Sequence, residues 1–260
     1  MLHMRTLKLK LLFALASEQD FLRVGEGYKY KPYEYLYLRL AEFEQGSVRD
    51  AAVRLASEGA VDKITRDNKV YFRLTGAGRE RLLKQIPVYR GQRKAWDRTW
   101  RLVIVEGVGD KLRRLQRQLK SLGYKRVSRG VYVTPLAVSE QTKQLFLKKE
   151  WLNKAQVIES RKLIVGDDLQ LARQLWQLDQ TAAGYAEFVR VAERLLKLAR
   201  RNIVLLRQSK GGFKEVFDRY YWLLKTDPGL PKKLLLPDWQ AGKAQELFLR
   251  LVELTKTAGI

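Results

Sequence analysis

The stretch that decides the fold of the first part of the chain is residues 47–83, SVRDAAVRLASEGAVDKITRDNKVYFRLTGAGRERLL. Its beginning predicts a helix that starts at the N-cap Ser47, runs to Glu58 and is ended by Gly59, because these residue types are typical of such positions. The apolar face of this helix consists of Val48, Ala51, Ala52 and Leu55. The other side chains of the helix are expected to point outward.

The rest of this stretch predicts a β-hairpin and a further helix. Residues 61–65 and 70–74 alternate apolar and polar side chains as half-buried strands do, and residues 66–69, RDNK, form the turn between them. Thr75 is placed to cap the helix that follows, GAGRERLLKQ. A hairpin directly after an outward-facing helix is typical of a wing.

Two more helices are predicted upstream, over residues 4–16 and 33–44, and Gly46 separates the second from the helix that follows. The apolar stripe of the first helix consists of Leu7, Leu11 and Leu15. The order helix, helix, helix, hairpin, helix indicates a winged helix-turn-helix domain over residues 1–86.

A DNA-binding winged helix places its third helix in the major groove and its hairpin tip on phosphates or in the minor groove. The candidate DNA-binding residues are the outward side chains of these two elements: Ser47, Arg49, Asp50, Val53, Arg54, Arg66, Asn68 and Lys69. Arg49 and Arg54 are of the type that reads base edges, whereas Asp50 is repelled by phosphates unless it accepts from a cytosine amine. The alternative is a protein-binding winged helix in an adaptor, with solvated arginines.

The charge of the whole chain indicates a polyanionic partner. Of its 260 residues, 51 are Lys or Arg and 28 are Asp or Glu, a net charge of +23 at pH 7, which favours nucleic acid or an anionic membrane surface. The chain has no Cys and one His, His3, which excludes thiol nucleophiles, thiolate zinc sites and multi-His metal sites. The apolar run 11–16 is too short for a signal peptide or a spanning helix. We therefore expect a cytoplasmic protein with no membrane partner and no cofactor.

Residues 98–165 predict a second domain, after a linker over residues 86–95 that contains Pro, Gly and charged residues. Its predicted elements follow the order β-α-β-β-α-β, which is that of the ferredoxin-like fold. They cover residues 100–108, 110–122, 124–135, 139–152 and 155–160.

The first helix of this second domain carries a basic stripe that consists of Arg113, Arg117 and Lys120. We expect the basic stripe either to contact the DNA backbone or to be a solvated helix face. Glu106, at the end of the first strand, and Asp110 are the carboxylates to consider for a metal. Because this pair lacks a His or a third acid, we expect no metal site and assign Asp110 to a helix cap.

Residues 166–260 predict a third domain that is helical and rich in aromatic residues, and its segment 227–239 holds three of the six prolines. A third domain on a DNA-binding protein commonly senses an effector or forms a dimer. The sequence assigns no effector-binding residue.

Six segments spread over nearly the whole chain carry a resemblance to a known family. They are VRDAAVRLASEG (48–59), LTGAGRERLL (74–83), WDRTWRLVIVEGV (96–108), LKSLGYKRVSRGVYVTP (119–135), LWQLD (175–179) followed by Tyr185, and LPKKLLLPDWQAGKAQELF (230–248). These segments resemble the PaaX family of bacterial transcriptional repressors, which control phenylacetate and related aromatic-acid catabolism. The central domain of that family is similar to small CRISPR-associated endoribonucleases of the spacer-acquisition complex.

The expected fold is therefore an α+β protein of three domains: a winged helix-turn-helix over 1–86, a ferredoxin-like domain over 98–165 and a PaaX-type helical domain over 166–260. The resemblance implies a homodimer that binds a palindromic operator in double-stranded DNA and is released by an acyl-CoA-type effector such as phenylacetyl-CoA. We expect a repressor without catalysis. The alternative is a metal-dependent nuclease or an RNA-binding protein that acts through the central domain.

Overall fold

The computed structural model describes residues 2–16, 29–40, 42–88, 95–147, 151, 154–201 and 212–257. It is a mixed α/β structure in which the described strands form two antiparallel sheets. The elements of the first part are α1 (Leu2–Ala16), β1 (Lys31–Pro32), α2 (Tyr33–Arg39), α3 (Gln45–Ser57), β2 (Val61–Arg66), β3 (Lys69–Leu74) and α4 (Gly76–Gln85). Those of the second part are β4 (Trp100–Val105), α5 (Gly109–Ser121), β5 (Lys125–Ser128), β6 (Val131–Thr134), α6 (Ser139–Phe146) and β7 (Ala155–Ser160). The last elements are α7 (Asp168–Trp176), α8 (Leu178–Arg201), α9 (Gly212–Thr226), a 3-10 turn (Lys232–Leu234) and α10 (Ala241–Thr257).

The chain divides into two compact units, and neither is continuous in sequence. Unit 1 consists of Met1–Ile86, Ala183–Lys225 and Gln240–Ile260, and unit 2 consists of Pro87–Ala182 and Thr226–Trp239. The predicted segment 166–260 therefore contributes to both units, because its helices complete two separate hydrophobic cores. Among the described residues, no helix is long and apolar enough to cross a membrane.

Helix α1 forms the centre of unit 1. The predicted stripe of Leu7, Leu11 and Leu15 is buried, and burial extends further than predicted, because every side chain from Leu9 to Ala16 is buried. The helix is enclosed because α3, α4 and β3 contact it, and Phe13 also meets aromatic rings of α9 and α10. The ring centroids of these partners lie 5.0–6.4 Å from that of Phe13: Phe217, Tyr220, Tyr221 and Phe248.

The sheet of unit 1 has the strand order β1-β3-β2. Strands β2 and β3 form the predicted hairpin, in a register that runs from Val61 opposite Leu74 to Arg66 opposite Lys69. Asp67 and Asn68 make the two-residue turn and both have positive φ, 48° and 57°, as primed hairpin turns require. The sequence did not predict β1, because a strand of two residues is too short to show alternation.

Two helix boundaries in unit 1 differ from the prediction. Helix α2 ends at Arg39, and α3 begins at Gln45 with Glu44 as its N-cap. Ser47 is therefore inside the first turn of α3, and its prediction as N-cap is wrong. Gly46 does not separate the helices, because a glycine is tolerated in a first turn whose backbone N–H groups have no helical partner. The cap predicted for α4 is confirmed, since the Thr75 hydroxyl accepts from the Gly78 N–H at 3.1 Å.

The sheet of unit 2 has the order β5-β6-β4-β7, and every neighbouring pair is antiparallel. One face carries a core with α5: Val103, Val105, Leu115, Leu119, Tyr124, Tyr132 and Trp151. The other face packs Trp100 against α7 and the segment around the 3-10 turn: Ala172, Trp176, Leu178, Leu230, Leu234 and Leu235. Both faces of the sheet are therefore covered. Helix α5, which lies between β4 and β5 in sequence, covers one face, and parts of the chain that follow β7 cover the other.

Three further predictions need correction or lie outside the description. The helix predicted over 139–152 ends at Phe146, and residues 148–150 and 152–153 lie outside the described residues, as do residues 89–94 of the predicted linker. The helix predicted to reach Asp179 ends at Trp176, because Gln177 adopts a left-handed conformation with φ 52°. Helix α8 then begins at Leu178.

Candidate nucleic-acid interface

Helix α3 has one buried and one exposed face. Its buried side chains are fully inaccessible to solvent: Val48, Ala51, Ala52 and Leu55. The face opposite them presents the predicted side chains Arg49, Asp50 and Arg54, which are exposed, and Val53, which is 44% exposed. Ser47 is half-buried in the first turn. The structure therefore brings the helix candidates to one surface, where two cations flank an apolar side chain.

The cations of this α3 surface are not used by the fold. None of the ion pairs between described residues engages Arg49 or Arg54. In contrast, Glu58 at the end of α3 pairs with Lys8 of α1 and Arg81 of α4. These two hydrogen-bonded cations hold the pKa of Glu58 below its ordinary value. Glu58 is therefore neutralised by two cations of the fold, whereas Arg49 and Arg54 point outward and form no ion pair with another described residue.

Tyr33 supports the start of α3, a role that the sequence analysis missed. Its hydroxyl donates to the carbonyl oxygen of Gln45 at 2.8 Å, which fixes the first residue of the helix. The pKa of Tyr33 is raised, first by burial and also by Asp50, while the charge of Arg49 acts in the opposite direction. Both outward residues therefore lie close enough to this ring to influence its titration.

The hairpin tip presents the other predicted residues. Arg66, Asn68 and Lys69 are all exposed, and Asn68 lies in the two-residue turn. The guanidinium of Arg66 lies 5.9 Å from the ring centroid of Tyr30. Arg73 lies 4.7 Å from the same ring and pairs with Asp62 across the hairpin. Tyr30 was not predicted, because its contacts are with Arg66 and Arg73 of the hairpin, which are distant from it in sequence.

The basic stripe on α5 is exposed, as its position opposite the buried Leu115 and Leu119 requires. Arg113 lies 3.4 Å from the carboxylate of Asp110, and Arg117 donates to the carbonyl oxygen of Arg113 at 3.4 Å. Nearby, the pKa of Lys125 is lowered, first by burial and then by the charge of Lys120. The end of α5 is therefore a region of concentrated positive charge.

The structure places the two carboxylates considered for a metal at the surface. Glu106 and Asp110 are both exposed, and Asp110 is paired with Arg113. No group of three or more His, Cys, Asp or Glu that could hold a metal occurs among the described residues.

A buried polar cluster in unit 2 was also missed by the sequence analysis. Arg101 is 5% exposed and lies between two carboxylates, those of Asp97 and Glu159. It also donates to the Ser139 hydroxyl at 2.6 Å. Burial raises the pKa of Asp97, but the hydrogen bonds from Arg101 and from the Thr99 N–H outweigh burial and leave the pKa below its ordinary value.

A pocket of about 250 Å³ adjoins this cluster within unit 2. Apolar walls are formed by Trp96, Leu122 and Leu136, and polar groups by Asp97 and Gln141. The indole N–H of Trp96 is buried and has no hydrogen-bond partner among the described residues. Apolar walls with a few polar groups are typical of sites for small molecules.

Comparisons with known proteins agree with this architecture. Two family models match the chain: "PaaX protein central Cas2-like domain" over residues 93–172 and "PaaX-like protein C-terminal domain" over residues 176–259. Among solved structures, the uncharacterized protein Rv0674 from Mycobacterium tuberculosis shares the fold with a TM-score of 0.53 at 20% sequence identity. The alignment covers 85% of this chain and 87% of that chain. No curated protein matches the sequence. The family models span most of the chain from the middle onward, and the protein belongs to the PaaX family.

Proposed function

We propose that this protein is a transcriptional repressor that binds double-stranded DNA through residues 1–86, folded as a winged helix-turn-helix. The observation that carries the proposal is the outward surface of α3, where Arg49 and Arg54 flank Val53 and take part in no described ion pair. Arginines read guanine edges in the major groove, and an apolar side chain contacts the thymine methyl group. Membership of the PaaX family supports the same role.

The hairpin β2–β3 is the proposed wing. Arg66, Asn68 and Lys69 are exposed at its tip, which places two cations and an amide where a wing meets phosphates or the minor groove. The primed turn makes this tip narrow, because only two residues, Asp67 and Asn68, separate the paired ends of the strands.

We propose further that the repressor is a homodimer on a palindromic operator in the cytoplasm. A single recognition helix reads too few base pairs to specify a site, and a two-fold protein reads two half-sites about one helical turn or a multiple apart. Unit 2 then carries the ferredoxin-like domain, whose antiparallel order β5-β6-β4-β7 supports that assignment.

The effector is proposed to bind in the pocket of unit 2. A cavity of about 150 Å³ holds a benzene ring, so a pocket of about 250 Å³ has room for the acyl group of an acyl-CoA-type effector but not for its nucleotide. The Gln141 amide in the lining is a donor that can hydrogen-bond a carbonyl oxygen.

The proposal includes no catalysis and no cofactor. The alternative, a metal-dependent nuclease or RNA-binding protein, draws no support from Glu106 and Asp110, which are exposed and are not part of any acid cluster in the described chain.

The test is binding to the DNA upstream of the protein's own gene, measured by fluorescence anisotropy against an unrelated duplex, with and without magnesium. We expect a preference for the upstream duplex that Arg49→Ala and Arg54→Ala each reduce by about 5- to 150-fold, since a base-reading arginine contributes about 1–3 kcal/mol of discrimination. Arg190→Ala, an exposed arginine on α8, is the matched control and should retain the preference. Equal affinity of all four proteins for both duplexes would contradict the proposal. Magnesium-dependent cleavage that Glu106→Gln abolishes would favour the nuclease.

A further inference from the structure

Lys10 is a charged side chain in the centre of unit 1. It lies on α1 and is 4% exposed. Its ammonium nitrogen lies 2.6 Å from a carboxylate oxygen of Glu42 and 2.6 Å from a carboxylate oxygen of Asp218. Glu42 belongs to the turn between α2 and α3, whereas Asp218 belongs to α9. One ammonium group thus joins three parts of the chain that are far apart in sequence.

Aromatic rings complete the surroundings of this ammonium group. The centroids of Phe43 and Tyr221 lie 5.7 Å from the Lys10 nitrogen, and that of Trp222 lies 6.0 Å away. Phe43 follows Glu42 in the α2–α3 turn, and the other two rings are on α9. The turn and α9 therefore each supply a carboxylate and at least one ring to the same cation.

Such an arrangement is a poor way to gain stability alone. Removing the ammonium of Lys10 from water is costly even though the side chains of Glu42 and Asp218 each stay 24% exposed, and apolar replacements of buried ion pairs are often neutral or stabilising. The neighbours of Lys10 on α1, Leu11 and Leu12, are apolar and fully buried, so an apolar residue would suit this helix. What the charged groups add is a defined geometry, because the ammonium holds the carboxylates of Glu42 and Asp218 in one position relative to each other.

We propose that Lys10 is a positioning residue through which α9 sets the position of the α2–α3 turn and thereby of the outward surface of α3. The inference rests on the proposed DNA binding. Helix α9 lies within the range matched by the family's C-terminal domain model. A change of α9 that weakens the contact of Asp218 leaves Glu42 as the only carboxylate paired with the ammonium among the described residues and alters the support of the turn.

The experiment compares Asp218→Asn with Glu215→Gln. Both variants remove one carboxylate from α9, but Glu215 is exposed and pairs at the surface with Arg219. Removing negative charge by itself strengthens binding to DNA. We expect the opposite for Asp218→Asn, a loss of at least about fivefold in operator affinity with less than about twofold change on unrelated DNA. Glu42→Gln should behave like Asp218→Asn, whereas Glu215→Gln should bind the operator as wild type does or slightly better.

A second measurement does not depend on DNA. Hydrogen exchange of the amides in Gln45–Ser57 should be faster in Asp218→Asn than in wild type and unchanged in Glu215→Gln. Wild-type affinity for the operator together with unchanged exchange in α3, even at a lowered melting temperature, would overturn the inference and leave Lys10 a structural residue. If wild type itself has no preferred duplex, the proposed function fails, and the exchange of α3 still decides the coupling.

Discussion

The basic stripe of α5 offers a quantitative test of how much of the protein meets DNA. Replacing Arg113, Arg117 and Lys120 by Gln removes three exposed cations at spacings of four and three residues without touching the buried leucines of the helix. Each phosphate neutralised contributes about −0.9 to the slope of log affinity against log salt concentration. If all three contact phosphates, the slope flattens by about 2.7 per protomer. If Arg113 remains with Asp110, at 3.4 Å, only two contribute and the slope flattens by about 1.8.

The larger of these two changes in the salt slope is easily measured. Between 50 and 200 mM salt, a slope difference of about 2.7 changes the relative affinity about 40-fold for each protomer bound, and a dimer on the operator doubles the slope difference to about 5.4. The assay is anisotropy with one operator duplex at several salt concentrations, and the ratio of operator to unrelated affinity should hardly change, because phosphate contacts carry no sequence information. The matched control replaces Arg190, Arg194 and Lys197 of α8, which are exposed and have the same spacing. Parallel slopes for wild type and the α5 variant would show that the basic stripe is a solvated helix face.

Three further variants test the fold of unit 1. Gly78→Ala should destabilise unit 1 by about 1–3 kcal/mol or more in urea unfolding, because the new Cβ would lie 2.0 Å from the carbonyl oxygen of Ala60. Gly76→Ala is its control and should not lower the midpoint of urea unfolding, because no atom lies within 4 Å of the new Cβ. Phe13→Ala should cost about 3–5 kcal/mol in the same assay, since the side chain is fully buried, and a loss below about 1 kcal/mol would contradict the enclosed position of α1. Glu58→Gln tests the pH dependence. The folded-state pKa of Glu58 is lowered, so its contribution is present above the ordinary value of about 4.3 and is lost as pH falls through the folded value. Wild type should exceed the variant in stability at pH 7 and lose that advantage in acid, and a constant difference down to pH 2 would refute the assignment.

The parts of unit 1 that could be predicted are those that local interactions determine. The strands β2 and β3, their turn and the Thr75 cap lie within fifteen residues, and alternation, turn residues and capping suffice to place them. The enclosure of α1 could not be predicted, because Phe217 and Phe248 are more than two hundred residues away from Phe13 in sequence. For the same reason, the sequence could not show that the last hundred residues divide between two compact units.

In the candidate interface, too, the features that depend on local sequence could be predicted and those that depend on distant residues could not. The outward residues of α3 follow from its helical period once the buried face is recognised, and an error of three residues in the position of its N-cap does not change that period. Their contact with DNA stays a prediction. Tyr30 and Tyr33 could not be assigned from the sequence, since one acts through Arg66 and Arg73 and the other through a backbone carbonyl of the next helix.

The packing of helices in unit 1 limits how the proposed repressor can be released from DNA. Helix α1 packs against α3 and α4, and its Phe13 packs against aromatic residues of α9 and α10. A well-packed interior does not deform continuously but changes between discrete arrangements. A displacement of α9 must therefore be accommodated by α1, which also carries Lys8 in contact with the end of α3 and Lys10 in contact with the turn before it. Both ends of α3 are thus held by one helix whose opposite side is covered by the C-terminal region, and no flexible hinge is needed to connect that region to the proposed DNA-binding surface.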